Sequence, residues 1–194
     1  MNTVKKSRKQ EILDAALACF TEHGIEATTI DMIRERSQAS VGSLYHHFGS
    51  KESIAVALYL DALREHGECQ QSLLAAARSA EEGVKAIVYA YIDWVSANPD
   101  KARFVLYNRG ALTKSEVKAE LESTAKTRVS DVLHWFQPYL ESGKLKKLPT
   151  ECLPSLIIGS AHDYARLWLA RRVKTDIKAY REVFAEAAWN TVKS

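Results

Sequence analysis

Cysteine, proline and long apolar runs are scarce in this 194-residue sequence. Three cysteines, Cys19, Cys69 and Cys152, stand far apart without a Cys-x-x-Cys pair. Neither a disulfide framework nor a zinc site is therefore predicted, and the thiols are expected to be reduced. The longest apolar stretch, 86–95, is interrupted by Asp93 and reaches about half a membrane span, and no apolar signal core follows the basic first residues. These absences predict a soluble, cytoplasmic protein without a membrane segment, metal or cofactor.

A strong excess of charge is also absent, since the formal net charge is only +3. A footprint for a polyanion depends on where charges lie, so it has to be argued locally. With 46% hydrophobic residues the chain is long enough for one medium domain, or for a small module fused to a larger one.

Strand patterns are almost missing, while apolar residues recur every three to four positions, which predicts an all-α protein. Three helices come first: one from Ser7 to His23 that Gly24 stops, a short one from Thr28 or Thr29, and a third from Ser40 to Gly49. Longer helices are expected from Ser50 onward, over about 50–78, 79–97, 98–109, 113–142, 150–172 and 175–192. The predicted domains are residues 7–65 and 66–194.

The second and third helices, joined tightly at Gln38-Ala39, form a predicted helix-turn-helix. Ile30, Ile33, Leu44 and Phe48 are expected to hold the two helices together. The start of the third helix carries small and hydrogen-bonding residues. Gly42 allows close approach of the backbone to base edges, Ser40 and Ser43 can donate hydrogen bonds, and Val41 can pack on a thymine methyl group.

Donors suited to phosphate oxygens flank this helix: Thr28, Thr29, Tyr45, His46 or His47, and Lys51. Lys51 lies in the first turn of a helix, where a cation is disfavoured unless an anion is near, so a phosphate site is expected there. Lys5, Lys6, Arg8 and Lys9 are interpreted as a basic arm, or as a disordered tail. His46 and His47 point about 100° apart on a helix, which disfavours a shared metal ion.

The segment "TTIDMIRERSQASVGSLYHHFGSKESI", residues 28–54, resembles the DNA-binding module of the tetracycline-repressor (TetR) family of bacterial transcription regulators. The family's usual wording is close to T-x-x-x-I-A-x-x-A-G-V-S-x-G-x-L-Y-x-H-F-x-x-K-E-x-L. The positions that match are Ser40, Gly42, Leu44, Tyr45, His47, Phe48, Lys51 and Glu52.

This resemblance implies base contacts from Val41, Gly42 and Ser43, and core roles for Leu44 and Phe48. The phosphate contacts that it implies come from Thr29, Tyr45, His46 and Lys51. Arg34 departs from the pattern because a small residue is usual there, and Gln38 and Ala39 stand where Gly-Val is usual. Without glycine, Gln38 must adopt a conformation that costs about 1 kcal/mol or more, or the turn must follow another path.

Beyond about residue 65 the resemblance implies only architecture, a helical bundle that binds a small effector and pairs with a second copy. Concave sites are mainly apolar with a few polar groups. The candidate pocket residues are Trp94, Tyr107, Asn108, His134 and His162, and the alternative is that they are ordinary core or surface residues.

Apolar stripes on the last two helices predict a two-fold interface of two helices from each subunit, although they can also cover the chain's own core. The candidate interface residues are Ile157, Ala161, Tyr164, Trp168, Tyr180, Phe184 and Ala188.

These features predict a homodimeric transcriptional repressor that a small apolar or aromatic effector releases from a palindromic operator. Two alternatives stay open: a DNA-binding dimer without a small effector, and an activator or co-repressed regulator. An enzyme is not expected, because the adjacent His162 and Asp163 diverge on a helix and no other catalytic pattern occurs.

Overall fold

The structure is a computed structural model that describes residues 7–112 and 118–194. The described residues contain no β-strand, and the predicted all-α fold is confirmed. Their helices are α1 (Arg8–Ala27), α2 (Ile30–Ser37), α3 (Val41–His47), α4 (Lys51–Ala76), α5 (Ala80–Ala97), α6 (Pro99–Leu112), α7 (Lys118–Glu141), α8 (Leu153–Leu169) and α9 (Arg181–Val192), with short 3₁₀ helices at Thr150–Cys152 and Ile177–Tyr180.

Side-chain caps fix where these helices begin. A hydroxyl oxygen placed just before the helix accepts a hydrogen bond from the backbone amide three residues later, satisfying one of the four amides that have no partner within the helix. Ser7, Thr29, Ser40, Ser50 and Ser79 all do this, at 3.1–3.2 Å. The predicted starts of α2 through α5 are therefore confirmed.

Helix ends were harder to predict. Gly24 has a non-helical backbone, with φ 77° and ψ 165°, and interrupts α1 directly after His23 as predicted; the chain then resumes a helical path to Ala27, which the prediction missed. The α-helical parts of the last two helices begin later than predicted, because 3₁₀ turns precede them. The capping box expected at Thr113 and Glu116 lies outside the described residues.

Clustering of backbone contacts divides the described chain into two units. Residues 7–63 and 104–112 form the first, and 64–103 with 119–194 form the second. In the first unit, α1 packs on α2 and the rings of Phe20 and Phe104 stack with centroids 5.7 Å apart. The second unit is built on contacts among α5, α8 and α9, with Val84, Val88, Ala161 and Ala185 fully buried.

Among the described residues, no helix is both long and apolar enough to cross a membrane.

Candidate nucleic-acid interface

The helix-turn-helix of the first unit consists of α2, the turn at 38–40 and α3. Ile33 is fully buried and Leu44 is 2% exposed, so each of the two helices buries one large apolar side chain. Phe48 and Ile30 are half-buried. The core role that was expected for Leu44 agrees with this placement.

The opposite face of α3 is open. Val41 is 46% exposed and Tyr45 is 57% exposed, although both are large apolar side chains. Gly42 and His46 are exposed as well, while Ser43 is half-buried. A Cβ added at Gly42 would meet no atom within 4 Å, so nothing inside the protein requires glycine there. The absence of a side chain instead leaves room for another molecule to reach the helix backbone.

Thr28 and Thr29 have different tasks. Thr29 is exposed, and its hydroxyl accepts from the Met32 amide at 3.2 Å as the cap of α2. Thr28 is only 1% exposed, and its hydroxyl donates to the carbonyl oxygen of Gly24 at 2.7 Å, with that of Cys19 at 3.2 Å. The phosphate contact predicted for Thr28 does not fit this buried position. Its hydroxyl instead satisfies carbonyls near the end of α1.

Lys51 is the first residue of α4, and its Nζ donates to the carbonyl oxygen of Glu26 at 2.9 Å. Glu26 lies at the C-terminal end of α1, where carbonyls carry the negative end of the helix dipole. This carbonyl is a negative partner for the Lys51 cation at the start of α4. The sequence alone did not indicate this partner, which lies in another helix. A phosphate bound by Lys51 would therefore compete with, or join, an existing hydrogen bond.

The turn follows the first of the two predicted paths. Gln38 adopts the left-handed conformation, with φ 53° and ψ 28°. Ala39 is buried, and its amide donates to the Ser37 hydroxyl at 3.3 Å. Arg34, which stands where the resemblance implies a small residue, pairs with Asp31 at 3.3 Å on the protein's surface.

Arg8 also belongs to this site. Its guanidinium donates to the carbonyl oxygen of Gln38 at 2.5 Å and to that of Ser37 at 3.4 Å. Its interpretation as part of a basic arm is therefore wrong, because the side chain is tied to the turn. Lys9 is exposed, and Lys5 and Lys6 lie outside the described residues. No group of three metal-ligating side chains occurs in the described part of the chain.

The five predicted pocket residues are not all gathered in one unit. Tyr107 and Asn108 belong to the first unit, where Tyr107 is 52% exposed and the Asn108 amide donates to the Phe104 carbonyl of its own helix. Trp94, His134 and His162 belong to the second unit. His134 lies on the outer side of α7, along a shallow groove with Val129, Leu133 and Leu140.

Trp94 and His162 lie in one aromatic cluster with two residues that the prediction missed. The Tyr91 hydroxyl and His162 Nδ1 are 3.2 Å apart, and the His66 ring lies 5.9 Å from Tyr91 and 5.5 Å from Trp94 between centroids. Burial raises the pKa of Tyr91. Trp94 is 8% exposed, and its indole N–H has no acceptor among the described residues. A buried donor of this kind calls for an explanation.

A separate cavity of about 240 Å³ opens between α4 and α7 in the second unit. Leu74 and Trp135 provide its apolar wall, while Gln70 and Asp131 provide polar groups. The sequence does not indicate a cavity between these two helices, because neither carries an apolar stripe that can be distinguished from core packing.

The predicted interface residues of α8 and α9 divide into two sets. Ile157, Ala161 and Ala188 are at most 5% exposed, so within the single chain they contribute to its own core and present little surface to a second copy. The other set remains accessible: Tyr164, Trp168 and Phe184 are half-buried and Tyr180 is 39% exposed. The prediction missed two exposed side chains of the same helices, Leu156 at 36% and Val183 at 63%.

Residues 12–58 match the family model described as bacterial regulatory proteins, tetR family. The HTH-type transcriptional repressor AcnR of Corynebacterium diphtheriae is 44% identical over 57 residues, which are 29% of this chain and 30% of the relative. The match therefore spans less than a third of that relative's length.

Solved structures extend the likeness of fold to most of the chain. A tetR-family regulatory protein from Rhodococcus RHA1 aligns with a TM-score of 0.80 at 20% identity, covering 97% of this chain and 98% of that one. Bacillus subtilis FadR, solved in complex with stearoyl-CoA, aligns with a TM-score of 0.78 at 16% identity over 94% and 98%. These relatives are transcriptional regulators and not enzymes. Residues 12–58 are therefore identified as a domain of the tetR family of bacterial regulatory proteins, and over the rest of the chain the likeness to that family is one of fold.

Proposed function

We propose that this protein is a homodimeric transcriptional repressor of the cytoplasm that binds a palindromic operator and leaves it when a small effector binds. The exposed face of α3 is the observation that carries the proposal. Val41 and Tyr45 leave much of their apolar surface in water, beside a glycine that the fold itself does not need. An exposed apolar surface rimmed by donors marks an interaction site.

In this proposal α3 enters the major groove. Val41, Gly42 and Ser43 face the base edges, with Ser40 at the start of the helix. Thr29, Tyr45, His46 and Lys51 contact phosphates on either side. The phosphate contacts set the register on the duplex, whereas the base contacts set sequence preference.

Selection of bound duplexes from a random pool tests this proposal. A palindromic consensus with half-sites about 34–36 Å apart, one turn of B-DNA, is the expected result. Recovery of unselected sequences would contradict it.

Two variants separate the roles within the interface. Lys51→Ala is expected to weaken binding to selected and random duplexes alike and to reduce the salt slope by about 1, because one phosphate contact is lost. Ser43→Ala is expected to change preference at one or two base pairs. If both variants bound both duplexes like the parent, the proposed docking would be wrong.

Pairing of two copies is proposed through α8 and α9. Apolar surface is accessible on α8, on α9 and at the end of the 3₁₀ helix before α9, at Leu156, Tyr164, Tyr180, Val183 and Phe184. The Tyr164 ring contacts those of Tyr180 and Phe184, with centroids 5.4 and 5.5 Å apart. Two such faces related by a two-fold axis would bury each other. A dimer then presents two copies of α3 to the two half-sites.

The effector is proposed to be an apolar or aromatic molecule with a polar end that binds within the second unit. The cavity between α4 and α7 is mainly apolar, and Gln70 and Asp131 bring polar groups to its wall. A bound ligand that favours a conformation unable to dock on DNA would release the operator by linkage. Since B. subtilis FadR was solved with stearoyl-CoA, that compound is a suitable first probe.

Operator release by stearoyl-CoA, followed by fluorescence anisotropy of labelled duplex, tests this part. A Gln70→Leu variant, which keeps most of the side-chain volume and removes a polar group from the cavity wall, is expected to need about tenfold more probe. If neither this compound nor a panel of steroids and aromatic acids shifted binding, the protein would be a DNA-binding dimer without a small effector.

A further inference from the structure

The side chain of Arg8 leaves its own helix to reach the end of another. Arg8 is the first residue of α1, a position where the helix dipole disfavours a cation. Its guanidinium lies instead at the C-terminal end of α2, where carbonyl oxygens carry partial negative charge. It donates to Gln38 O at 2.5 Å and Ser37 O at 3.4 Å, and Glu11 accepts from it at 2.8 Å.

These contacts add to the hydrogen bonds that other carbonyls at the end of α2 accept. The Arg34 carbonyl accepts from the Ser37 hydroxyl, and the Glu35 carbonyl accepts from the Gln38 amide. The Ser37 and Gln38 carbonyls accept from Arg8. The planar guanidinium presents several N–H groups in a fixed fork, so one side chain can serve both oxygens, which an ammonium group does with less directional control.

The turn needs such support because Gln38 is not glycine. Its left-handed conformation places Cβ close to a carbonyl oxygen, at a cost that glycine does not incur. A carbonyl held by a cation favours this conformation over the cheaper right-handed and extended ones. The Arg8 side chain is 43% exposed, so solvent screens its charge and its hydrogen bonds stabilise the turn only modestly.

We propose that Arg8 is a positioning residue that holds the Gln38 turn and thereby the direction in which α3 leaves it, a role that rests on the DNA binding proposed above. Only Ala39 and the cap Ser40 separate Gln38 from α3. Without the guanidinium the turn exchanges between conformations, and α3 samples several orientations. Contacts to base edges depend on that orientation, whereas general attraction to phosphate does not. Arg8 therefore supports sequence preference and not overall affinity.

Arg8→Lys is the decisive variant, because it keeps the charge and removes the fork. The ratio of affinities for the selected and the random duplex is expected to fall about tenfold, while random binding and the salt slope stay at the parental values. Lys9→Ala, the matched control, removes a charge from the same turn of α1 and is expected to leave the ratio unchanged. Adding Gln38→Gly to Arg8→Lys is expected to restore the ratio, since glycine accepts the left-handed conformation without cost.

Amide hydrogen exchange at Ala39 provides a readout that does not involve DNA. This amide is bonded to the Ser37 hydroxyl inside the turn and is expected to exchange about tenfold faster in Arg8→Lys, with recovery in the Gln38→Gly double variant. Unchanged exchange would overturn the inference whatever the DNA results.

The DNA-binding measurements can also contradict the inference. Arg8 would be a phosphate contact if Arg8→Lys bound like the parent while Arg8→Ala weakened both duplexes equally with a smaller salt slope. A parent protein with no preferred duplex would refute the proposed function. The exchange experiment would then decide on Arg8 alone.

Discussion

At the scale of single residues, Thr28 shows how a hydroxyl beside a binding face can belong to the fold. Thr28→Val keeps the shape but leaves the carbonyls of Cys19 and Gly24 without their side-chain donor, so the free energy of unfolding is expected to fall by about 1–3 kcal/mol. Urea unfolding measures this loss. Thr28→Ser, which keeps the hydroxyl, should lose less. If the Thr28→Val protein were as stable as the parent but bound DNA more weakly, Thr28 would be a phosphate contact after all.

A second residue-scale prediction concerns the ion pair that joins α1 to α2. Arg36 Nη2 lies 2.6 Å from Glu22 Oε1, and this hydrogen bond lowers the pKa of Glu22 below its usual 4.5. The stabilisation is therefore complete above pH 4.5 and is lost as the pH falls through the lower folded-state pKa. In thermal unfolding at about pH 7, the parent should have a higher melting temperature than Glu22→Gln. This difference in melting temperature should disappear at about pH 3.

A gap that did not depend on pH would show that Glu22 stabilises the fold by packing and not by charge. Arg34→Gln serves as the matched control, because Arg34 pairs with Asp31 within α2 and joins no second helix. Its effect on the melting temperature should be small.

At the scale of elements, the sequence was sufficient wherever the physics was local. Hydroxyl caps such as Ser40 and Ser79 act on an amide three residues away, so spacing alone located the helix starts. The partners of Arg8 and Lys51 lie 30 and 25 residues away. Both are cations at a helix N-terminus, and this signal correctly indicates that a negative partner exists. It does not say whether that partner is a phosphate or the end of another helix.

Packing of α5 against α7 gives a prediction at this scale. A Cβ added to Gly83 would overlap the ring of Trp135. Gly83→Ala is therefore expected to lower the free energy of unfolding by about 1–3 kcal/mol through overpacking. Gly110→Ala in α6 is the control, because its Cβ would meet nothing within 4 Å. That variant should gain about 0.5–1 kcal/mol, and equal effects of the two variants in urea unfolding would contradict the proposed difference.

At the scale of the whole molecule, dividing the chain at a single position is not sufficient, because a later segment belongs to the first unit. The predicted boundary after residue 65 lies close to the point where α4 passes from one unit to the other, but residues 104–112 join the first unit from far along the sequence. The stacked rings of Phe104 and Phe20 are one of the contacts that join this segment to the first unit. Hydrophobic spacing shows that Phe104 faces inward but does not identify the ring that it meets. The same limit applies to α8 and α9, where spacing alone did not distinguish residues that face the chain's own core from those left exposed.

Val183 provides the test of assembly. It is 63% exposed on α9, so Val183→Asp should preserve the fold of the single chain and place a charge in the proposed two-fold interface. Sedimentation equilibrium should show a fall from twice the chain mass to 21.7 kDa. Affinity for the palindromic duplex should fall by about 100-fold, because the two half-sites are no longer bound by one linked pair.

Val129→Asp, the same substitution at a 43% exposed valine of α7, should leave the protein dimeric. If Val129→Asp dissociated the dimer and Val183→Asp did not, pairing would take place through α7, and the spacing of the two copies of α3 would have to be derived from that face instead.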